Sequence, residues 1–313
     1  MLKIVIYYKY ITHEKLNMEK LKILVTGSSG FIGSHVVAEA LRNGHGVVGL
    51  DIKDNPNDRI EFVKADIRDK GSISKAMEGV DYVLHLAAVT SVVEFEKDPV
   101  RCFDINVNGF MNVLSAALEN NVRKVIYASS AAVYTGEHFS DSMPVDYSKQ
   151  SNPYAQSKIV NEMRANYYSR SKGLNAVGLR FFNVFGEGEN EKGQYASIAT
   201  QFIKNKKNGE PLVVYGDGSQ SRDFIYVNDV AKIALMLLDK ADNGIYNVGT
   251  GIAVSYRRIA EIIDKEHISY AKNPLKAYQY LTKADTSKLL GTIGGYKFVK
   301  LEEWIHKQNN NSA

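Results

Sequence analysis

At 313 residues the chain is long enough for two lobes or one extended α/β unit, and with 44% hydrophobic and 24% charged residues it is not disordered, collagenous or a coiled coil. Its 39 Lys and Arg against 35 Asp and Glu leave a formal charge of +4, dispersed along the chain, so composition offers no case for nucleic acid as a partner. A single cysteine, Cys102, excludes an internal disulfide and a cysteine-rich zinc site and suits a reducing cytoplasm, and no run reaches the ~18 apolar residues of a membrane span.

The first ten residues hold too short an apolar core for a signal peptide. Residues 1–20 therefore read as a leader, of the kind often poorly ordered at chain ends, with Met18 beginning a typical α/β opening. From Leu21 short β-branched runs alternate with amphipathic segments. The runs Ile23–Thr26, Val47–Asp51, Phe62–Lys64, Tyr82–Leu86, Lys124–Ala128 and Ala176–Phe181 predict strands. Ile32–Asn43, Ser72–Glu78, Val100–Asn120 and Tyr154–Ser171 predict helices. Because the runs are apolar throughout, they read as strands of a parallel sheet covered on both faces. After about Phe185 the regularity breaks into loop-rich sequence. The expected architecture is a Rossmann-like doubly wound parallel sheet over 21–185, with elements of the C-terminal half returning to it, and a smaller α/β substrate lobe over 186–313.

Gly27-Ser-Ser-Gly30-Phe-Ile-Gly33 links the first strand to the first helix. Glycines there permit a tight turn and let backbone amides approach a pyrophosphate at the helix N-terminus. Asp51 ends the next strand, where a carboxylate can accept from both ribose hydroxyls of an adenosine and repels a 2′-phosphate, which favours NAD over NADP. Lys53 and Arg59 lie nearby and weigh the other way. Tyr154 and Lys158 are four apart on one helix face. A phenol works as a base near neutrality only if its pKa drops by about three units, roughly 4 kcal/mol, which one ammonium about 4 Å away supplies in principle.

The GxxGxxG spacing, together with Tyr154-Ala-Gln-Ser-Lys158, resembles the extended short-chain dehydrogenase/reductases, specifically their NAD-dependent nucleotide-sugar epimerase/dehydratase group. The resemblance runs from about Leu21 to Trp304 through Asp66-Ile67, His85-Leu-Ala-Ala88, Asn106-Val-Asn-Gly109, Ala128-Ser-Ser-Ala-Ala-Val-Tyr134, Arg180-Phe-Phe-Asn183, Gly216–Phe224 and Tyr246–Gly251. It implies a catalytic set of Ser130, Tyr154 and Lys158. It also implies an NAD site of Gly27, Gly30, Phe31, Ile32, Gly33, Asp51, Asp66, Ile67, Leu86, Ala87, Ala88 and Asn106, joined by Tyr154 and Lys158. The implied substrate contacts are Ser130, Asn183 and Arg222 on the nucleotide sugar, with Tyr215 over the base. Thr90 and Ser91 are placed against sugar hydroxyls or in capping roles, and His85 reads as a packed histidine.

The family's dehydratases and decarboxylating enzymes carry a carboxylate just before the Val-Tyr pair, whereas this chain has Ala131-Ala132. Alanine transfers no proton, so the implied activity is nucleotide-sugar epimerisation, with UDP-glucose/UDP-galactose 4-epimerisation the leading reaction. Two departures bear on substrate fit: Asn273–Tyr280 replaces an expected Arg-x-Gly-Asp segment, and Thr135 is inserted after Val-Tyr. Lys192-Gly193 and Tyr278–Asp285 are similar instead to ADP-heptose 6-epimerases, in which a lysine at that place joins the acid/base chemistry; read from the residues alone, Lys192 is a solvated loop lysine. The resemblance further implies a homodimer through the helices Val100–Asn120 and Tyr154–Ser171, with Ile159, Met163 and Tyr167 as an apolar stripe. No metal is expected.

Overall fold

The computed structural model describes residues 20–136, 139–142, 145–272 and 279–310. The leader, up to residue 19, and most of the Asn273–Tyr280 segment lie outside the described residues.

In chain order the elements are β1 (Lys22–Thr26), α1 (Phe31–Arg42), β2 (Gly46–Asp51), β3 (Glu61–Lys64), α2 (Lys70–Ala76), β4 (Tyr82–His85), α3 (Val92–Lys97), α4 (Pro99–Phe103), α5 (Gly109–Glu119), β5 (Lys124–Ser130), α6 (Pro153–Lys172) and β6 (Ala176–Phe181). They continue with β7 (Asn183–Phe185), α7 (Ile198–Lys207), β8 (Leu212–Tyr215), β9 (Ser221–Tyr226), α8 (Val227–Lys240), β10 (Gly244–Val248), β11 (Ala253–Ser255), α9 (Tyr256–Asp264), β12 (Ile268–Ala271), β13 (Leu281–Thr282), α10 (Ser287–Ile293) and α11 (Leu301–Asn310).

Seven strands form one parallel sheet in the order β10-β6-β5-β4-β1-β2-β3. Strands β4 and β6 are buried along their whole length, which is why their sequences are mainly apolar, with His85 and Arg180 as the buried exceptions. The edge strand β3 is not: Glu61 and Lys64 face solvent. One face of the sheet is covered by α1, α8 and α10, through Val36, Val37, Val230, Ala234 and Leu289. The other is covered by α2, α5 and α6, through Ile73, Phe110, Leu114 and Ala165. Thus α8, β10 and α10 return from the C-terminal half to the first lobe. The second lobe centres on β9, which pairs with β7, β11 and β13, beside the β8–β12 pair. Phe185, Phe202, Ile259 and Trp304 fill its own core.

The predicted helix Val100–Asn120 keeps helical backbone from Pro99 to Glu119 but widens in its middle. Asp98 caps the Arg101 amide, Pro99 starts α4, and a π-helical turn, Asp104–Asn108, separates it from α5. Helix α6 begins on the Asn152 cap and Pro153 and stops at Gly173, whose φ of +76° is left-handed. The proposed Ile159–Met163–Tyr167 stripe is divided: Ile159 packs inside its own chain beside Val133 and Phe182, while Met163 and Tyr167 are exposed. Among the described residues no helix is long and apolar enough to cross a membrane.

Candidate active site

The sheet order reverses between β1 and β4, so their C-terminal ends open a crevice at the topological switch point. Gly27, just after β1, has φ +73°, and a Cβ there would stand 2.7 Å from the Ala87 amide nitrogen. A Cβ on Gly33 would strike the Gly27 carbonyl. Both positions require glycine because backbone passes against backbone. Asp51 is buried at the end of β2, where its carboxylate accepts from the Ser29 amide (3.0 Å) and the Lys53 amide (2.9 Å), so it braces the glycine loop besides facing the crevice. The Ser29 hydroxyl is buried without a hydrogen-bond partner among the described residues. An unpartnered donor, a cradle that any side chain would fill and the free first-turn amides of α1 together fit the phosphates of a dinucleotide.

Two adjoining cavities, of about 470 and 440 Å³, share Gly27, Gly30, Lys53, Leu86, Ala88 and Thr90. The first also has Asp51, Asp66, Ile67 and Ala87 in its wall; the second has Phe31, Ile32, Gly33, Ser130, Tyr154 and Lys158. Hydrogen bonds from Arg68 hold the Asp66 carboxyl below its ordinary pKa. Asn106 lies behind the wall. Within the π turn it accepts from the Val89 amide (2.8 Å) and donates to the Val89 carbonyl (2.9 Å) and Ser157 Oγ (3.1 Å), so it positions the strand exit that lines the crevice. His85 is the packed histidine expected: it stacks on Phe110, meets Thr26 Oγ1 at 2.8 Å, and burial lowers its pKa to about 3.

Tyr154 stands in the first turn of α6 and Lys158 one turn on. Lys158 is only 2% exposed. Its Nζ donates to the Ala128 carbonyl at 2.9 Å and lies 5.7 Å from the Tyr154 ring centroid. Burial lowers the lysine pKa from 10.5 to about 8, with Glu162 opposing. Burial also raises the Tyr154 phenol, with Ser130 opposing through a hydrogen bond. Lys158 alone therefore does not bring the phenol into the neutral range, because desolvation acts on both groups and the ammonium is engaged by a carbonyl. After Ser130 the chain makes a single turn, Ala131–Val133, and Ser130 Oγ accepts from the Ala132 amide at 3.1 Å.

Lys192 keeps 36% of its side chain exposed, yet it also reaches the site. It comes over the Phe31 ring at 4.2 Å, stands 3.7 Å from Glu189 and enters the wall of the second cavity, where burial lowers its pKa. Thr90 lines both cavities, whereas the Ser91 hydroxyl accepts from the Glu94 amide and caps α3. Asn183, Tyr215 and Arg222 stand on the second lobe, outside the walls of these two cavities. Asn183 donates to the Asp223 carbonyl, and Arg222 donates to the Ser221 carbonyl and lies over the Tyr256 ring. The Asp223 carboxylate instead accepts from Thr250, Gly251 and Ala284. The ion pair of Glu162 with Arg180 was not assigned to the site by sequence; the one local signal was Glu162, one helical turn beyond Lys158.

The profile of the NAD dependent epimerase/dehydratase family matches residues 23–249. A protein of Methanocaldococcus jannaschii, provisionally named a UDP-glucose 4-epimerase, is 40% identical over 253 residues, 78% of this chain and 82% of that one. The structure of UDP-glucose 4-epimerase from Thermotoga maritima with UDP-glucose superposes with a TM-score of 0.83 at 28% identity, covering 93% of this chain and 98% of that one. UDP-N-acetylglucosamine 4-epimerase from Methanobrevibacter ruminantium, in complex with UDP-N-acetylmuramic acid, gives 0.82 at 34% identity, covering 94% and 98%.

Proposed function

Since the chain belongs to the NAD-dependent epimerase/dehydratase family, an enzyme family with NAD as cofactor, we propose that it interconverts UDP-glucose and UDP-galactose through a transient 4-keto sugar. The observation that carries this reading is the approach of Ser130, Tyr154 and Lys158 to one cavity, followed by Ala131-Ala132 where a dehydratase needs a carboxylate. The names of the M. jannaschii and T. maritima proteins support the choice of sugar.

The glycine loop and the α1 N-terminus hold the cofactor pyrophosphate, with Phe31, Ile32 and the Leu86–Ala88 backbone along its course. Asp51 takes the adenosine ribose, Asp66 and Ile67 border the adenine, and Asn106 supports the wall from behind. The chemistry NAD supplies when bound is reversible hydride acceptance at the nicotinamide ring. Tyr154 takes the proton from sugar O4, Ser130 hydrogen-bonds the same oxygen, and Lys158 stabilises the phenolate. Because desolvation opposes both charged forms, Lys158 would need a further positive charge beside it in the loaded site to hold Tyr154 as the phenolate. After the ketose turns over, Tyr154 returns the proton. Thr90 borders the sugar. Asn183, Arg222 and Tyr215 receive the nucleotide diphosphate on the second lobe, Arg222 by exchanging its carbonyl partners for phosphate. A homodimer completes the reading, on the strength of the exposed Val100, Met163 and Tyr167, and the lone Cys102 suits a reducing cytoplasm.

Incubation with UDP-galactose, without added reductant, is expected to yield UDP-glucose by NMR with no free NADH. Conversion only of UDP-N-acetylhexosamines, or no conversion of any UDP-sugar, would displace this substrate. A second reading, epimerisation at C6 of a nucleotide heptose with Lys192 as second acid/base group, is favoured by the place of Lys192 in the cavity wall; inversion at C6 of such a sugar, with deuterium at C6 retained in the product, would select it.

A further inference from the structure

Strand β5 ends in Ala128, Ser129 and Ser130, and α6 grips the first two from one side. Lys158 Nζ donates to the Ala128 carbonyl, and one turn further Glu162 Oε1 accepts from Ser129 Oγ at 2.5 Å. Ser130, the next residue, faces the cavity. Glu162 is in turn held by Arg180 on β6, whose Nε and Nη2 donate to its two oxygens at 2.9 and 2.7 Å. Arg180 Nη1 donates to the Tyr134 hydroxyl, which donates to Asn247 Oδ1 on β10. The side chains of Arg180 and Glu162 are 4% and 12% exposed. Apolar residues of similar volume often replace a buried ion pair at no loss of stability, so stability alone is a weak reason for this one.

We propose that Glu162, paired with Arg180, is a positioning residue for the Ser130–Tyr154–Lys158 group: through Ser129 it fixes the strand end that carries Ser130, and it sets a carboxylate one helical turn beyond Lys158. This rests on Tyr154 and Lys158 being the acid/base pair proposed above. The groups around Lys158 are few. Tyr154 and Glu162 share its helix, His85 on β4 is held neutral by burial, Arg180 stands behind Glu162, and Lys192 lies across the cavity. Among these Glu162 is the anion nearest to Lys158 in the chain, and its charge opposes the effect of burial on the lysine. Removing that charge favours the neutral amine, so the proton leaves at lower pH.

The test compares Glu162→Gln with wild type from pH 6 to 9, first by NAD+ titration without sugar and then by epimerase turnover. Lys158 faces the cofactor cavity, so wild-type affinity and kcat are expected to fall as pH rises through about 8. In Glu162→Gln both limbs move down by about one pH unit, which makes kcat about threefold lower at pH 7.5 than the loss at pH 6 accounts for, while KM stays within about twofold. A merely structural residue lowers stability and leaves both limbs in place. Should Glu162→Gln fail to fold around an unpaired Arg180, Glu162→Gln/Arg180→Met removes both charges and must still move the limbs down, by less, because loss of the Arg180 cation acts the other way. Limbs coincident with wild type in a folded variant overturn the proposal. A displaced NAD+ limb in a protein that epimerises no UDP-sugar supports the role of Glu162 and overturns the substrate reading instead.

Discussion

Lys158 ties catalysis to stability, and replacing it by methionine should expose the connection through pH. An ordinary lysine titrates near 10.5, whereas Lys158 in the fold titrates near 8 because it is desolvated. Below pH 8 both the folded and the unfolded chain hold the proton, and the whole cost of the buried ammonium, about 3 kcal/mol, weighs on the fold. Between pH 8 and 10.5 the folded chain has shed a proton that the unfolded chain keeps, so the cost is relieved as pH rises. Lys158→Met removes this cost and also takes the donor from the buried Ala128 carbonyl, a loss of about 1–3 kcal/mol. At pH 7 the variant should therefore match wild type or exceed it by up to about 2 kcal/mol. From pH 7 to pH 10 its unfolding free energy should fall relative to wild type by about 2 kcal/mol, since only wild type gains from losing the charge. Urea unfolding followed by circular dichroism, after removal of bound cofactor to avoid binding linkage, measures both quantities. A difference that is constant across this range, or that grows in favour of the variant, would refute the account of Lys158 as a desolvated ammonium. The same variant should lose turnover by at least about 10²-fold.

Tyr154→Phe preserves the ring contact with Phe95 and removes the proton acceptor, so turnover should drop by about 10²–10⁴ with little change in melting temperature; unimpaired turnover would eliminate the mechanism. Deuterium at sugar C4 should remain at C4 in the product, and its loss to water would be equally decisive. Asp51→Ala should narrow the preference for NAD+ over NADP+ and loosen the glycine loop through loss of the Ser29 contact; intact protein that prefers NADP+ in a titration would reverse the role given to Asp51. Gly33→Ala drives a Cβ into the Gly27 carbonyl, so it should cost about 1–3 kcal/mol and weaken NAD+ binding, and a variant with unchanged melting temperature and affinity would contradict the close packing of α1 on its loop.

What the chain encodes locally could be read directly from its residues. The Gly27–Gly33 loop lies between a strand and a helix that adjoin it in sequence, Asp51 ends the next strand, and Tyr154 and Lys158 share a helix face by spacing alone. Apolar runs alternating with amphipathic segments are enough to specify a covered parallel sheet, because each run must be buried on both faces. Other features depend on what distant segments bring near. The π turn within the predicted Val100–Asn120 helix carries Asn106, which holds Val89 in the loop after β4. Lys192 meets the cavity only because the chain beyond β7 lays it over Phe31, and Ile159 turns inward because Phe182 and Val133 are there to receive it. The pKa values of Tyr154 and Lys158 belong to the same class. Their spacing predicts an encounter, but desolvation is set by everything packed around them, and here it acts against both charged forms. Periodicity records the neighbours within one element; burial and partner choice are properties of the assembled layers, and only tertiary structure decides them.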